Sequence, residues 1–135
     1  MKTKLALIIF ILTVSLSCVN SNTQKTIDLS KNWKFSPDRD NTGSSEKWFT
    51  IDFDDSNWSK IDAGIKWEDQ GYPDLDGNAW YRKTVDIPND WKGKDIWIKF
   101  GAVNDAYDLF INGEQVSSFG AANITFADKP SFTKV

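Results

Sequence analysis

The chain has no histidine and a single cysteine. Without histidine it lacks the usual general base and the commonest metal-ligating side chain. A Ser-His-Asp hydrolase is thereby excluded, and no G-x-S-x-G segment occurs. The lone Cys18 cannot form an intrachain disulfide. An excess of positive charge is also missing: 16 basic residues face 19 acidic ones, a net charge of −3. That balance argues against a nucleic-acid groove. Long hydrophobic runs are absent too, since the apolar stretch Leu5–Leu12 is too short to span a bilayer. At 135 residues the chain has room for one domain at most.

That short run fits a secretory signal. Lys2 and Lys4 precede Leu5–Leu12, and small residues follow up to Cys18. The arrangement resembles the lipobox of bacterial lipoproteins, in which the cysteine is lipidated and becomes the mature N-terminus. One departure is that Ser15 stands three positions before Cys18, where leucine is usual. The alternative is an ordinary secretory signal with a chance cysteine. Residues 1–17 are expected to be a signal peptide, and 18–25 a lipidated cysteine with a polar tether. The domain is expected to occupy 26–135. Taking Lys2 and Lys4 from the 16 basic residues leaves 14 against 19 acids, a mature charge of −5. The expected location is the bacterial cell envelope, with the membrane reached only through the lipid.

What is abundant is aromatic surface. Seven tryptophans in so short a chain mean either an aromatic core or a stacking surface of the kind carbohydrate binders display. Period-two patterning predicts strands near 26–29, 32–36, 79–87, 95–100, 106–111 and 115–118. Pro37 and Pro88 are expected to end the strands before them. Asn112-Gly113 predicts a two-residue hairpin turn, because both residues accept positive φ. Trp48 and Phe49 fit a helical turn or another strand equally well. The reading is a core of several antiparallel strands joined by short turns.

The segment Gly64–Asn78, GIKWEDQGYPDLDGN, is a long loop with three glycines, one proline and four carboxylates. Such a loop is usually functional or carries its own packing. Trp67 and Tyr72 are its candidates for stacking on a sugar ring. Glu68, Asp69 and, outside the loop, Asp105 can accept hydrogen bonds from sugar hydroxyls. The competing placement folds Trp67 back to plug one end of the domain. Asp74-Leu75-Asp76-Gly77-Asn78 offers oxygen ligands but lacks a complete calcium-loop pattern, so a plain turn is preferred and no metal or other cofactor is expected. Adjacent acids such as Asp54-Asp55 and Glu68-Asp69 suit turn chemistry better than the paired carboxylates of a glycosidase. Arg82 is expected to pair with an acid such as Asp105 across a sheet.

The ordered series Trp33 with Phe35, FDDSNW (53–58), WEDQGYPDLDGNAWYRK (67–83) and FGAVNDAYDLFINGEQV (100–116) resembles the galactose-binding-like jelly-roll β-sandwich module. That module occurs in the sugar-binding domains of family 2 glycoside hydrolases and in sialate O-acetylesterase-like proteins. The resemblance covers roughly Lys25 to Val135 and implies an all-β sandwich. In the family further strands follow a segment like Pro130–Thr133, so the sandwich is expected to be incomplete at its C-terminus. In longer relatives catalysis lies in a separate domain, and no catalytic residue is expected in this chain. The resemblance implies an exported accessory module that meets carbohydrate weakly or meets a catalytic domain. The alternative is a structural or protein-interaction sandwich that binds no sugar.

Overall fold

The computed structural model describes residues 24–101, 103, 106–120 and 131–134. Seven strands follow one another: β1 Trp33–Asp38, β2 Ser59–Ile61, β3 Asn78–Arg82, β4 Trp97–Phe100, β5 Tyr107–Ile111, β6 Glu114–Phe119 and β7 Ser131–Lys134. Among the described residues two short 3-10 turns, Trp67–Gln70 and Asn89–Trp91, are the only helical elements between the strands. The pairings of these strands are all antiparallel, in the orders β2-β1-β3, β4-β7 and β5-β6.

Of the strands predicted in sequence, all but 26–29 have a counterpart, but their partners differ from a meander. β3, β4 and β5 do not pair with one another. β3 returns across the chain to β1, and β4 to β7. Among the described strands, β5 and β6 alone form a tight hairpin, closed by Asn112 and Gly113 at φ 51° and 86°.

Two proline expectations need correcting. β1 runs through Pro37 to Asp38. β2 pairs only with Trp33–Phe35, so at Pro37 the ladder is one-sided and the missing N–H costs nothing. β3 ends at Arg82, five residues before Ile87, because β1 offers no partner beyond Lys34 on that side. Residues 26–29 form no strand. The Leu29 carbonyl accepts the Trp33 indole N–H instead.

The β1–β3 sheet has two different faces, since alternate residues point to opposite sides. On one side Phe35 faces Tyr81 and Trp33 faces Ile61. Phe35, Ile61 and Leu75 are the fully buried apolar residues there, 1–3 % exposed, and Trp33, Trp67, Tyr72 and Ala79 pack around them. On the other side Lys34, Ser36 and Asp38 lie opposite Arg82, Trp80 and Asn78. The segment between β1 and β2 covers this side with Trp48, Phe49, Phe53 and Trp58. Phe110 of β5 stacks on Phe49 at 4.7 Å, which joins the hairpin to the sheet. In β4, Ile98 and Phe100 are half-buried while Trp97 is exposed, the alternation its sequence implies.

Candidate functional site

The polar face of the sheet is built around two charged side chains. Asp38, at the end of β1, is buried and accepts three hydrogen bonds. Thr42 N–H donates at 2.8 Å, Gly43 N–H at 3.0 Å and the Trp80 indole N–H at 2.9 Å. Burial alone would raise this carboxyl. The Trp80 indole and the backbone N–H groups of Thr42 and Gly43 outweigh it and hold Asp38 below the ordinary carboxylate value. Gly43 is required at its position, because a Cβ there would collide with the Trp80 indole and the Asp38 carboxylate. These bonds fix the start of the connection that carries Glu46 and Trp48.

Arg82 fixes the other end. Its Nε donates to Asp55 at 3.0 Å, one terminal nitrogen to the Thr50 carbonyl at 3.0 Å and the other to the Trp48 carbonyl. Its guanidinium lies 5.6 Å from the Phe53 ring centre and 6.0 Å from that of Trp58. Lys34 adds a bond to the Asp55 carbonyl at 2.8 Å. The acid partner of Arg82 is thus Asp55 rather than Asp105, which lies outside the described residues. Of the two turn acids, Asp54 caps the backbone of Ser56 at 3.0 Å, while Asp55 turns inward as an ion-pair partner.

Held between these anchors, Trp48, Phe53 and Trp58 form an aromatic triangle. Trp48 and Trp58 meet edge to face at 5.4 Å, and Phe53 stands 5.9 and 5.7 Å from them. Beside the triangle opens a cleft of about 420 Å³, lined also by Phe35, Ser36, Pro37, Glu46, Asp54, Asn57 and Ser59. Glu46 accepts the Trp48 indole N–H at 2.9 Å. Side-chain and backbone hydrogen bonds from Ser56 keep the Asp54 carboxyl below its ordinary value. The cleft therefore combines apolar ring faces with two carboxylates, an amide and two hydroxyls. That is the chemistry of a small-ligand site with few oriented polar groups.

The long loop is placed differently. Trp67 and Tyr72 both turn onto Phe35, with ring centres 6.2 and 4.8 Å away. Of the two placements open in sequence, the loop adopts the packed one. Gln70 ties it down: its side-chain oxygen accepts Asp62 N–H at 2.8 Å, and its amide donates to the Asp62 and Ile65 carbonyls at 3.0 Å. Glu68 and Asp69 are exposed in the 3-10 turn above the packed rings. Burial first, and the Glu68 carboxylate second, raise the Tyr81 phenol above its usual pKa. The structure thus brings Trp67 and Tyr72 together with Tyr81 around Phe35 and does not join them to the cleft. Asp105 and Cys18 lie outside the described residues.

Sequence reasoning missed the cleft. A usable signal was present: Trp48, Phe53 and Trp58 recur at intervals of five residues through a polar connection.

A family model described as glycosyl hydrolases family 2, sugar binding domain, matches residues 27–128. A beta-glucuronidase of Paenibacillus borealis is 28 % identical over 106 residues, which is 77 % of this chain and 18 % of that protein. A beta-glucuronidase of Formosa agariphila is 28 % identical over 108 residues, 70 % of this chain and 10 % of that protein. A beta-galactosidase of Psychromonas ingrahamii is 32 % identical over 82 residues, 47 % of this chain and 8 % of that protein. The chain spans less than a fifth of each of these relatives.

Proposed function

Because the chain belongs to the sugar-binding domains of family 2 glycosyl hydrolases, we propose that it is a non-catalytic carbohydrate-binding module whose aromatic cleft seats a sugar ring. The observation that carries this reading is the triangle of Trp48, Phe53 and Trp58 walling a cleft edged by Glu46, Asp54 and Asn57. Aromatic faces suit the apolar C–H face of a pyranose, and the carboxylates and amide accept and donate to its hydroxyls. The cleft is open and shallow, so affinity is expected near the millimolar end, about −4 kcal/mol. The partner we assign is a family 2 catalytic domain, because the relatives that match carry glycosidase names. Delivery beyond the cytoplasmic membrane on a lipid at Cys18 rests on the residue pattern of positions 2–18. Mass spectrometry of the mature protein should find a modified Cys18 at its N-terminus, and an unmodified one would end that part of the proposal.

The decisive experiment titrates Trp58→Ala and Trp67→Ala with a methyl glycoside and follows binding by nuclear magnetic resonance. Loss of binding in Trp58→Ala, with binding retained in Trp67→Ala, supports the cleft. The opposite pattern moves the site to the loop of Trp67, Glu68, Asp69 and Tyr72. Failure of the parent chain to bind any glycoside would leave a structural sandwich.

A further inference from the structure

The lining of the cleft fixes the charge of what it can hold. Among its ten residues two are carboxylates, Glu46 and Asp54, and none is lysine or arginine. Behind the wall stands Arg82, whose guanidinium lies over the Phe53 and Trp58 rings from within the protein. All three of its nitrogens already donate, to Asp55 and to the Trp48 and Thr50 carbonyls. Lys34 is likewise bound to Asp55, through both its carbonyl and its carboxylate. Neither cation can turn outward without breaking the bonds that hold the aromatic wall. Among the lining residues a ligand carboxylate entering here would meet two like charges and no counter-ion. The hydroxyls of an uncharged ring instead find acceptors in Glu46 and Asp54 and both kinds of partner in Asn57.

We propose that the cleft selects uncharged pyranosides and rejects uronic acids, with Glu46 and Asp54 as the residues that impose the choice. This rests on the reading that the cleft is a sugar site. Ionised carboxylates act on a ring in two ways at once: they accept from its hydroxyls, and they repel an ionised C6 carboxylate. Selection by repulsion is a common route to specificity where attractive contacts are few.

The test compares matched pairs on the full chain: methyl β-galactopyranoside with methyl β-galactopyranosiduronate, and methyl β-glucopyranoside with methyl β-glucopyranosiduronate. Within a pair the two sugars differ only at C6. The uronate is expected to bind about tenfold more weakly, a difference of about 1.4 kcal/mol. The gap should narrow as ionic strength rises from about 0.01 M to about 1 M, where the screening length falls to about 3 Å. In the double variant Glu46→Gln, Asp54→Asn the ratio within each pair should approach one. These isosteric changes keep an acceptor for the Trp48 indole and for Ser56 N–H, and circular dichroism checks that the variant is folded. Equal or tighter uronate binding by the parent would overturn the selection and leave the sugar site standing. A ratio that the double variant or salt leaves unchanged would also overturn it. Binding of neither member of either pair would overturn the sugar site itself, and this inference with it.

Discussion

The two faces of the β1–β3 sheet are covered by opposite means. Phe35, Ile61 and Leu75 close one face with apolar contacts, and the Trp67–Leu75 stretch lies over them as a lid. The other face is covered by a connection of similar aromatic content, but Asp38, Asp55 and Arg82 hold it through named hydrogen bonds. Non-directional burial suits a lid, since any tight arrangement of rings serves. A binding wall needs its rings at set places, and a fork of fixed donors supplies that. The contrast explains why the face with directional bonds is the one that keeps a cleft.

Substitutions can break either half of this contrast. Phe35→Ala strikes the apolar face where burial is deepest and should cost about 3–5 kcal/mol in chemical denaturation. Trp67→Ala removes half of the lid and should cost about 3 kcal/mol, the low end for a large aromatic, because the ring is only partly covered. A parent-like stability for Trp67→Ala would mean that the lid contributes no packing. On the other face, Arg82→Lys keeps the charge and loses the fork. It should cost about 2 kcal/mol, the loss of charge-assisted bonds to Asp55 and the two carbonyls, and should weaken sugar binding more than Trp67→Ala does. The smallest effect concerns acid. Asp38 has a lowered pKa in the folded chain, so its contribution is fully present above the ordinary value of 3.8 and is lost as pH falls through the lower folded value. Denaturation curves from neutrality down to about pH 2 should show Asp38→Asn losing less stability than the parent below about pH 4. Parallel curves would mean that the three donors do not favour the charged carboxylate.

Much of the fold is legible in the residues. Alternation located β1, β4, β5 and β6 to within two residues at either end, and Asn112-Gly113 specified the one tight hairpin. Pairing was not legible, because alternation marks a strand and its faces but says nothing of its neighbour. β1 meets β3 across about 40 residues, and β4 meets β7 across about 30. The extent of a strand is likewise set by its partner, which is why β3 stops at Arg82 and β1 continues through Pro37. The site shows the same limit. Trp67 and Trp58 are the same residue type in similarly polar surroundings, and only the tertiary fold decides which ring packs into the apolar cluster and which walls a cleft. The acid partner of Arg82 was open for the same reason: Asp55 becomes its neighbour only when the connection folds back over β3.

The β4–β7 pairing has a consequence for how the chain acquires its shape. Polypeptides leave a ribosome or a translocon from the N-terminus. The β5–β6 hairpin can therefore close within about 1–10 μs of its appearance, whereas β4 must wait for residues 131–134. At synthesis rates of about 5–20 residues per second that wait is roughly 2–6 s. Throughout it, the backbone of Trp97–Phe100 offers unpaired N–H and C=O groups beside an exposed Trp97, a template on which a second nascent chain can dock. The alternating charges of Asp95 and Lys99 in the same stretch oppose such docking, as charged side chains do at natural strand edges. The span most prone to misassembly is thus the older strand of the latest-closing pair among the described residues.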